Sequence, residues 1–137
     1  MAVLRMTILG LGALAVAGTA LGAIDENAAV PVDVSIISQG TGKGFIFQNV
    51  YAQPFYIYDK DQPGKSACVD KCAEVWIPLY PSDRNATDLG DAWKLIVRTD
   101  GYKQWAYKGK PLYTFGYGEL PPPTAKDTAG VWHKLEP

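Results

Sequence analysis

Residues 56–79, YIYDKDQPGKSACVDKCAEVWIPL, contain both cysteines of the chain, an acidic turn and a tryptophan. Tyr56, Ile57 and Tyr58 are aromatic and β-branched, as strand residues commonly are. The Asp61-Gln62-Pro63-Gly64 segment that follows favours a turn, because proline fixes φ and glycine accepts positive φ. The stretch therefore predicts an aromatic strand that ends in a chain reversal.

A short helix is predicted after this turn, with Ser66 as its N-cap. The apolar residues that follow have the spacing of one helix face: Cys68, Val69, Cys72, Ala73 and Trp76. Helix residues four apart have Cα atoms roughly 6 Å apart, a separation that a disulfide spans. We therefore interpret Cys68 and Cys72 as a structural disulfide. Thiol exchange and metal binding are the alternatives, although redox pairs usually have two intervening residues and this pair has three.

The motifs of this stretch resemble those of a known family. Residues 56–61 fit the pattern Tyr-x-(Phe/Trp/Tyr)-x-x-Asp, and Cys72-Ala73-x-x-Trp76-x-Pro78-Leu79 follows. The chain is similar to a bacterial secreted-repeat family of predicted lipoproteins, which carries this motif in tandem copies. The resemblance implies an extracytoplasmic protein whose activity is unknown. It marks as motif residues Tyr56, Tyr58, Asp61, Trp76, Tyr113 and Trp132.

The sequence repeats itself. Pro54-Phe55-Tyr56-Ile57-Tyr58 recurs 57 positions later as Pro111-Leu112-Tyr113-Thr114-Phe115, and Val75-Trp76-x-x-Leu79 recurs 56 positions later. Nearly equal offsets indicate a duplication, with half-repeats at about 40–80 and 92–137. The second copy lacks the cysteines and has Gly118 where the first has Asp61.

Several segments are predicted to be strands because their apolar residues alternate or are β-branched. Residues 45–50 and 55–58 suggest one hairpin, and residues 32–36 a strand before it. Residues 93–97, 104–107 and 111–115 suggest a three-strand meander that turns at Asp100-Gly101. Residues 80–91, rich in turn-forming residues, are expected to link the halves. The predicted fold is all-β with one short helix, in which two imperfect repeats pack as a small sandwich or barrel-like unit.

An apolar run at residues 6–23, rich in Gly and Ala, follows Arg5 and ends in a small residue. We expect residues 1–23 to be a cleaved signal peptide and 24–137 to be a single domain. An uncleaved membrane anchor is the alternative, since about 18 apolar residues just span a bilayer. A lipid anchor would require a cysteine directly after this run, and the cysteines lie elsewhere. The expected location is periplasmic or secreted, with membrane contact only if the signal stays attached.

Charge argues against nucleic acid as a partner. The chain has 13 basic and 14 acidic side chains, and loss of Arg5 with the signal leaves 12 against 14. Binding to nucleic acid or to an anionic membrane needs a basic excess that this balance does not provide.

Asp59, Asp61, Gly64 and Asp70 have the spacing of an EF-hand-like loop, so the three carboxylates are candidate calcium ligands. Pro63 occupies a position that should supply an oxygen ligand, which favours an ordinary solvated turn. His133 is the only histidine, too few for a typical zinc or copper site. We therefore expect neither a metal nor another cofactor.

No combination of residues forms a persuasive catalytic set. The 4 Trp, 8 Tyr and 4 Phe are many for a small domain, and exposed aromatic rings commonly contact proteins or glycans. We expect a non-enzymatic binding or scaffolding module that contacts an envelope protein or glycan. A periplasmic redox accessory that uses Cys68 and Cys72, and a metal-binding module, are the alternatives.

Overall fold

The computed structural model describes residues 24, 27–116 and 123–136, which form nine β-strands and two short α-helices. The predicted signal peptide lies outside the described residues, as does Gly118. In chain order the elements are β1 (Val34–Ser38), β2 (Phe45–Asn49), β3 (Tyr56–Tyr58), α1 (Lys71–Val75), β4 (Trp76–Pro78), β5 (Trp93–Val97), β6 (Lys103–Tyr107), β7 (Lys110–Pro111), β8 (Tyr113–Phe115), α2 (Ala125–Thr128) and β9 (Trp132–Lys134).

The strands form three antiparallel sheets. The first sheet pairs β1 with β2. The second contains β5, β6 and β7 and is the predicted meander, except that its third strand is only Lys110–Pro111. The third has four strands in the order β4-β8-β3-β9. The predicted all-β fold of two repeats is confirmed as a small sandwich-like arrangement, without a closed barrel among the described residues. In the same residues, no helix is long and apolar enough to cross a membrane.

The four-stranded sheet is built by exchange between the two halves. Tyr56 of β3 and Tyr113 of β8 are directly paired at its centre. The tryptophan strand of each half pairs with the tyrosine strand of the other, which sets Trp76 opposite Phe115 and Trp132 opposite Tyr58. Tyr58 and Phe115 differ by 57 positions, so these two pairings are equivalent. The predicted equivalence of Tyr56 with Tyr113, and of Trp76 with Trp132, is thus confirmed.

Backbone hydrogen bonds outside the strands repeat the same symmetry. The amide of Leu79 donates to the carbonyl of Leu112 at 2.9 Å, and the amide of Leu135 donates to that of Phe55 at 2.8 Å. Each half therefore completes the sheet of the other.

Two apolar clusters flank the sheets. In the larger one, Phe47 of β2 contacts Trp93 of β5 edge-on, with ring centroids 5.1 Å apart. The smaller cluster consists of family-motif aromatics together with one cysteine: Tyr56, Cys68, Trp76, Tyr113 and Trp132. The motif therefore lies in a core rather than on the surface.

The predicted hairpin of residues 45–50 and 55–58 is wrong. β2 pairs with β1, whereas β3 joins the four-stranded sheet, and one isolated bridge links Gln48 to Pro54. The intervening turn is held by Asn49, whose side-chain oxygen accepts from the amides of Tyr51 and Gln53. This turn directs the chain out of the first sheet before β3 begins.

The predicted strand 111–115 is divided between two sheets. β7 pairs with β6, and β8 pairs with β3 and β4. The buried Leu112 lies at the crossing, where its amide donates to the carbonyl of Trp105 at 3.1 Å. The crossing connects the meander directly to the central sheet.

The helix prediction was wrong in its boundaries. α1 begins only at Lys71, Trp76 starts β4, and Ser66 does not cap α1. The hydroxyl of Ser66 instead lies in the interior, 2.6 Å from the hydroxyl of Tyr113. This long-range contact, which the local pattern could not reveal, keeps residues 66–70 out of the helix.

The second helix, α2, was not predicted. Thr124 precedes it, and its hydroxyl accepts from the amide of Asp127 while the Asp127 carboxylate accepts from the amide of Thr124. This is a capping box, and the Thr-x-x-Asp spacing is its sequence signal.

Candidate functional site

Four aromatic rings of the motif region form a stacked column. Tyr58 stacks on Trp132 with centroids 4.2 Å apart, Trp132 on Trp76 at 4.1 Å, and Trp76 packs on Phe115 at 4.8 Å. The register of the exchanged strands places these rings in line. The column therefore joins one half to the other through direct ring contacts.

The two motif tyrosines at the centre of the sheet contact this column edge-on. Tyr56 meets Trp76 with centroids 5.1 Å apart, and Tyr113 meets Trp132 at 4.9 Å. Edge-to-face pairs of this kind contribute about 0.5–1.5 kcal/mol beyond burial. The structure thus brings five of the six motif residues into one cluster, whose geometry is that of a core.

The sixth motif residue, Asp61, belongs to a polar network beside the cluster. Its carboxylate accepts from the hydroxyl of Tyr113 at 2.8 Å and from the amide of Ala67 at 2.6 Å. Burial raises the pKa of Asp61, and these two donors oppose the rise. Burial likewise raises the pKa of Tyr113, so its hydroxyl stays protonated and donates. The motif aspartate of the first half therefore fixes the motif tyrosine of the second.

Arg98 is the centre of this network. Its side chain is fully buried and forms an ion pair with Asp100 at 2.9 Å. The same guanidinium donates to Ser66 Oγ at 2.9 Å, to Gln104 Oε1 at 2.8 Å and to the carbonyl of Cys68 at 2.6 Å. The hydrogen bond from Arg98 lowers the pKa of Asp100. A buried guanidinium is tolerated because these acceptors and one carboxylate surround it.

Cys68 and Cys72 form a disulfide, with Cα atoms 5.2 Å apart. Cys68 is completely buried in the motif cluster, and its carbonyl accepts from Arg98. Thiol exchange requires that a thiolate reach a sulfur atom; Cys68 is shielded from solvent, whereas Cys72 is half-buried. These contacts support a structural role for the bond.

The three candidate calcium ligands do not converge. Asp59 contacts His133 at 2.8 Å, Asp61 is held by Tyr113 and Ala67, and Asp70 precedes α1. Over residues 24, 27–116 and 123–136, no group of three or more His, Cys, Asp or Glu side chains could hold a metal ion.

A small cavity of about 220 Å³ lies between the acidic turn and the segment that connects β6 to β7. We call it the turn cavity; Asp59, Asp61, Lys108 and Lys110 supply the charged groups of its wall. It is smaller than the roughly 300–1,000 Å³ typical of ligand pockets.

A larger groove of about 500 Å³ lies where β4 and β8 meet the turn after β2. We call it the tyrosine groove, since Tyr51 is 79% exposed, Tyr80 is 39% exposed, and both line it. Tyr102 lies beyond its margin and contacts Tyr80 edge-on. The polar residues of the wall are Asp33, Asn49, Gln53, Ser82 and Thr114.

Sequence reasoning missed both Arg98 and the tyrosine groove. Arg98 directly follows β5, and it is buried whereas its neighbour Val97 is exposed, which is the reverse of what the residue types predict. The groove had no local signal either, because its wall combines residues from positions 33 to 116.

Comparison with known proteins agrees with the motif pattern. No curated protein and no solved structure matches the chain. One family, described as a secreted repeat of unknown function, matches it twice, at residues 39–80 and 94–135. Its description and the disulfide together indicate a secreted location. The two matches coincide with the two halves that exchange strands, and the chain belongs to this secreted-repeat family.

Proposed function

We propose that the protein is a non-enzymatic binding module of the bacterial periplasm or cell surface, and that it holds an envelope component in the tyrosine groove. The observation that carries this proposal is the pair of exposed tyrosines, Tyr51 and Tyr80, on a groove of about 500 Å³. A tyrosine left in water contributes little to folding, whereas it supplies a rigid contact surface at low entropic cost. The volume lies within the range of ligand sites.

The family-motif residues support the proposal indirectly. Trp132 stacks on both Tyr58 and Trp76. Asp61 accepts a hydrogen bond from Tyr113, and Arg98 donates one to Ser66, whose hydroxyl contacts that of Tyr113. Every fully buried side-chain nitrogen or oxygen among the described residues has a hydrogen-bond partner. The motif thus forms a closed scaffold, which leaves binding to the surface.

Site-specific photo-crosslinking tests the proposal. A Tyr51→p-benzoylphenylalanine variant, produced with its export signal in a bacterial host of the same kind, is irradiated and its adducts are identified by mass spectrometry. The matched control is Val97→p-benzoylphenylalanine, because Val97 is 72% exposed and lies outside the groove. We expect an envelope adduct at position 51 and none at position 97. Equal labelling at both positions, or none at position 51, would contradict the proposal.

A further inference from the structure

The wall of the tyrosine groove has no basic side chain among the described residues. Asp33 is its one charged residue. One carboxylate oxygen of Asp33 accepts from the amide of Ser82 at 3.0 Å, and the other accepts from the indole N–H of Trp105 at 3.1 Å. Both donors are neutral, so the carboxylate keeps its negative charge. Because the described wall offers no basic group to pair with an anion, the groove favours a ligand without negative charge.

The groove also lacks a strand edge to which an extended peptide could add. Ile77 pairs through its backbone with Thr114. Pro78, next along β4, has no N–H, and its carbonyl accepts from the amide of Tyr80 at 2.9 Å. Peptides that bind by strand addition depend on free main-chain groups. This edge is closed to them.

Three amides on the opposite wall are also engaged. Those of Tyr51 and Gln53 donate to the Asn49 side chain, and that of Asn49 donates to the carbonyl of Gln53. A ligand must therefore be held mainly by side chains.

One of these side chains is prepared for a ligand. Thr114 is only 6% exposed, and its hydroxyl has no hydrogen-bond partner among the described residues. Because no fully buried side-chain oxygen there lacks a partner, this hydroxyl keeps some contact with solvent, and Thr114 lines the groove. A hydroxyl that keeps this contact hydrogen-bonds to water, and a ligand hydroxyl that displaces the water can take over the bond.

The remaining contacts combine aromatic faces with neutral polar groups. Tyr51 and Tyr80 offer rings, and Ser82 and Thr114 offer hydroxyls. A pyranose ring has the complementary surface, with C–H groups on its faces and hydroxyls around its rim. Resting on the proposed function, we infer that the ligand of the tyrosine groove is a neutral oligosaccharide.

Calorimetry with a defined probe tests this inference. The tetramer of N-acetylglucosamine is titrated into the mature protein, and a hyaluronate tetramer serves as the charged control of similar size. A neutral octapeptide of Ala, Ser and Thr, blocked at both ends, tests the peptide alternative. We expect binding of the neutral tetramer that exceeds binding of either control by at least about tenfold.

Three variants connect the binding to the groove. Tyr51→Ala and Tyr80→Ala should each weaken binding by about tenfold. Thr114→Val keeps the shape of the side chain and should weaken binding by about two- to tenfold, the effect of one hydrogen bond. Val97→Ala is the surface control and should bind as the unchanged protein does. Melting temperatures verify that each variant is folded.

Two results would overturn the saccharide inference. Tighter binding of the octapeptide or of hyaluronate would do so, as would tetramer binding that is insensitive to all three groove variants. If crosslinks at position 51 persist in either case, the binding function stands and only the ligand class is wrong. If position 51 yields no crosslinks and no probe binds, the proposed function fails as well.

Discussion

Trp76 and Trp132 lie face to face, with ring centroids 4.1 Å apart and planes 8° from parallel. They occupy equivalent positions in the two repeats, each on a strand that has crossed to the sheet of the other half. Two copies of one motif residue therefore meet directly at the contact between the halves.

Truncation of either tryptophan should be strongly destabilising. Trp76→Ala and Trp132→Ala are each expected to lower the free energy of unfolding by about 3–5 kcal/mol, the cost of removing a buried aromatic side chain. Urea denaturation measures the loss. Val97→Ala, on the surface, should change it by less than about 0.5 kcal/mol.

A double-mutant cycle tests the coupling between the two rings. Trp76→Phe and Trp132→Phe preserve most of the apolar volume, and their effects should deviate from additivity by about 0.5–1.5 kcal/mol. Strict additivity would show that the stacking contributes nothing beyond burial.

Removal of the disulfide should reduce stability without preventing folding. The bond closes a loop of five residues, for which chain entropy gives about 2 kcal/mol. The Cys68→Ser, Cys72→Ser double variant should therefore melt several degrees lower and keep its circular dichroism spectrum. A Cys72→Ser single variant should trap no mixed disulfide when it is secreted. A covalent complex with another protein would instead favour the redox function.

The contributions of Asp100 and Asp61 to the stability of the fold should change in opposite directions as the pH falls. The pKa of Asp100 is lowered in the folded state by Arg98, so its stabilising effect is complete above the unfolded value of about 3.9 and is lost as the pH falls through the folded pKa. The pKa of Asp61 is raised by burial, so the folded state binds its proton more tightly, and this contribution is lost as the pH rises from about 3.9 through the folded pKa.

Melting temperatures between pH 7 and pH 2 separate these effects. The Asp100→Asn variant should lose less stability on acidification than the unchanged protein, and the Asp61→Asn variant should lose more. The same pH slope for all three proteins would show that neither carboxyl has a shifted pKa.

Calcium should not bind to the acidic turn at micromolar concentrations. Asp59 and Asp61 face different partners, His133 and Tyr113, and Pro63 cannot supply the oxygen that the loop requires. Calorimetry with calcium chloride is expected to show no heat of binding. A binding isotherm that disappears in Asp61→Ala would favour the metal-binding alternative.

The sequence was informative where structure is local. The chain reversal at Asp100-Gly101 follows from a short-range pattern, and the duplication was visible as two matching offsets. The register of β5 with β6 differs from that of the predicted two-residue turn, which would pair Thr99 with Tyr102, because Val97 pairs with Lys103. The exchange of β4 and β9 between halves was not visible, because strand pairing depends on contacts that span the chain. The same limit explains the helix error, since Ser66 bonds to Tyr113, 47 positions away. The tyrosine groove is the extreme case, because its wall is assembled from separate segments.

An NMR titration tests the central claim, that the motif residues form the scaffold and the tyrosine groove binds. The protein, labelled with ¹⁵N, is titrated with a soluble extract of the bacterial envelope, and amide shift changes are mapped onto the structure. The predicted result is a cluster of changes around the groove, at Tyr51, Ser82 and Thr114, with the turn cavity unaffected. Changes that cluster instead at Asp61 and Gly109, in the turn cavity, would contradict the claim and make the family motif itself the binding site.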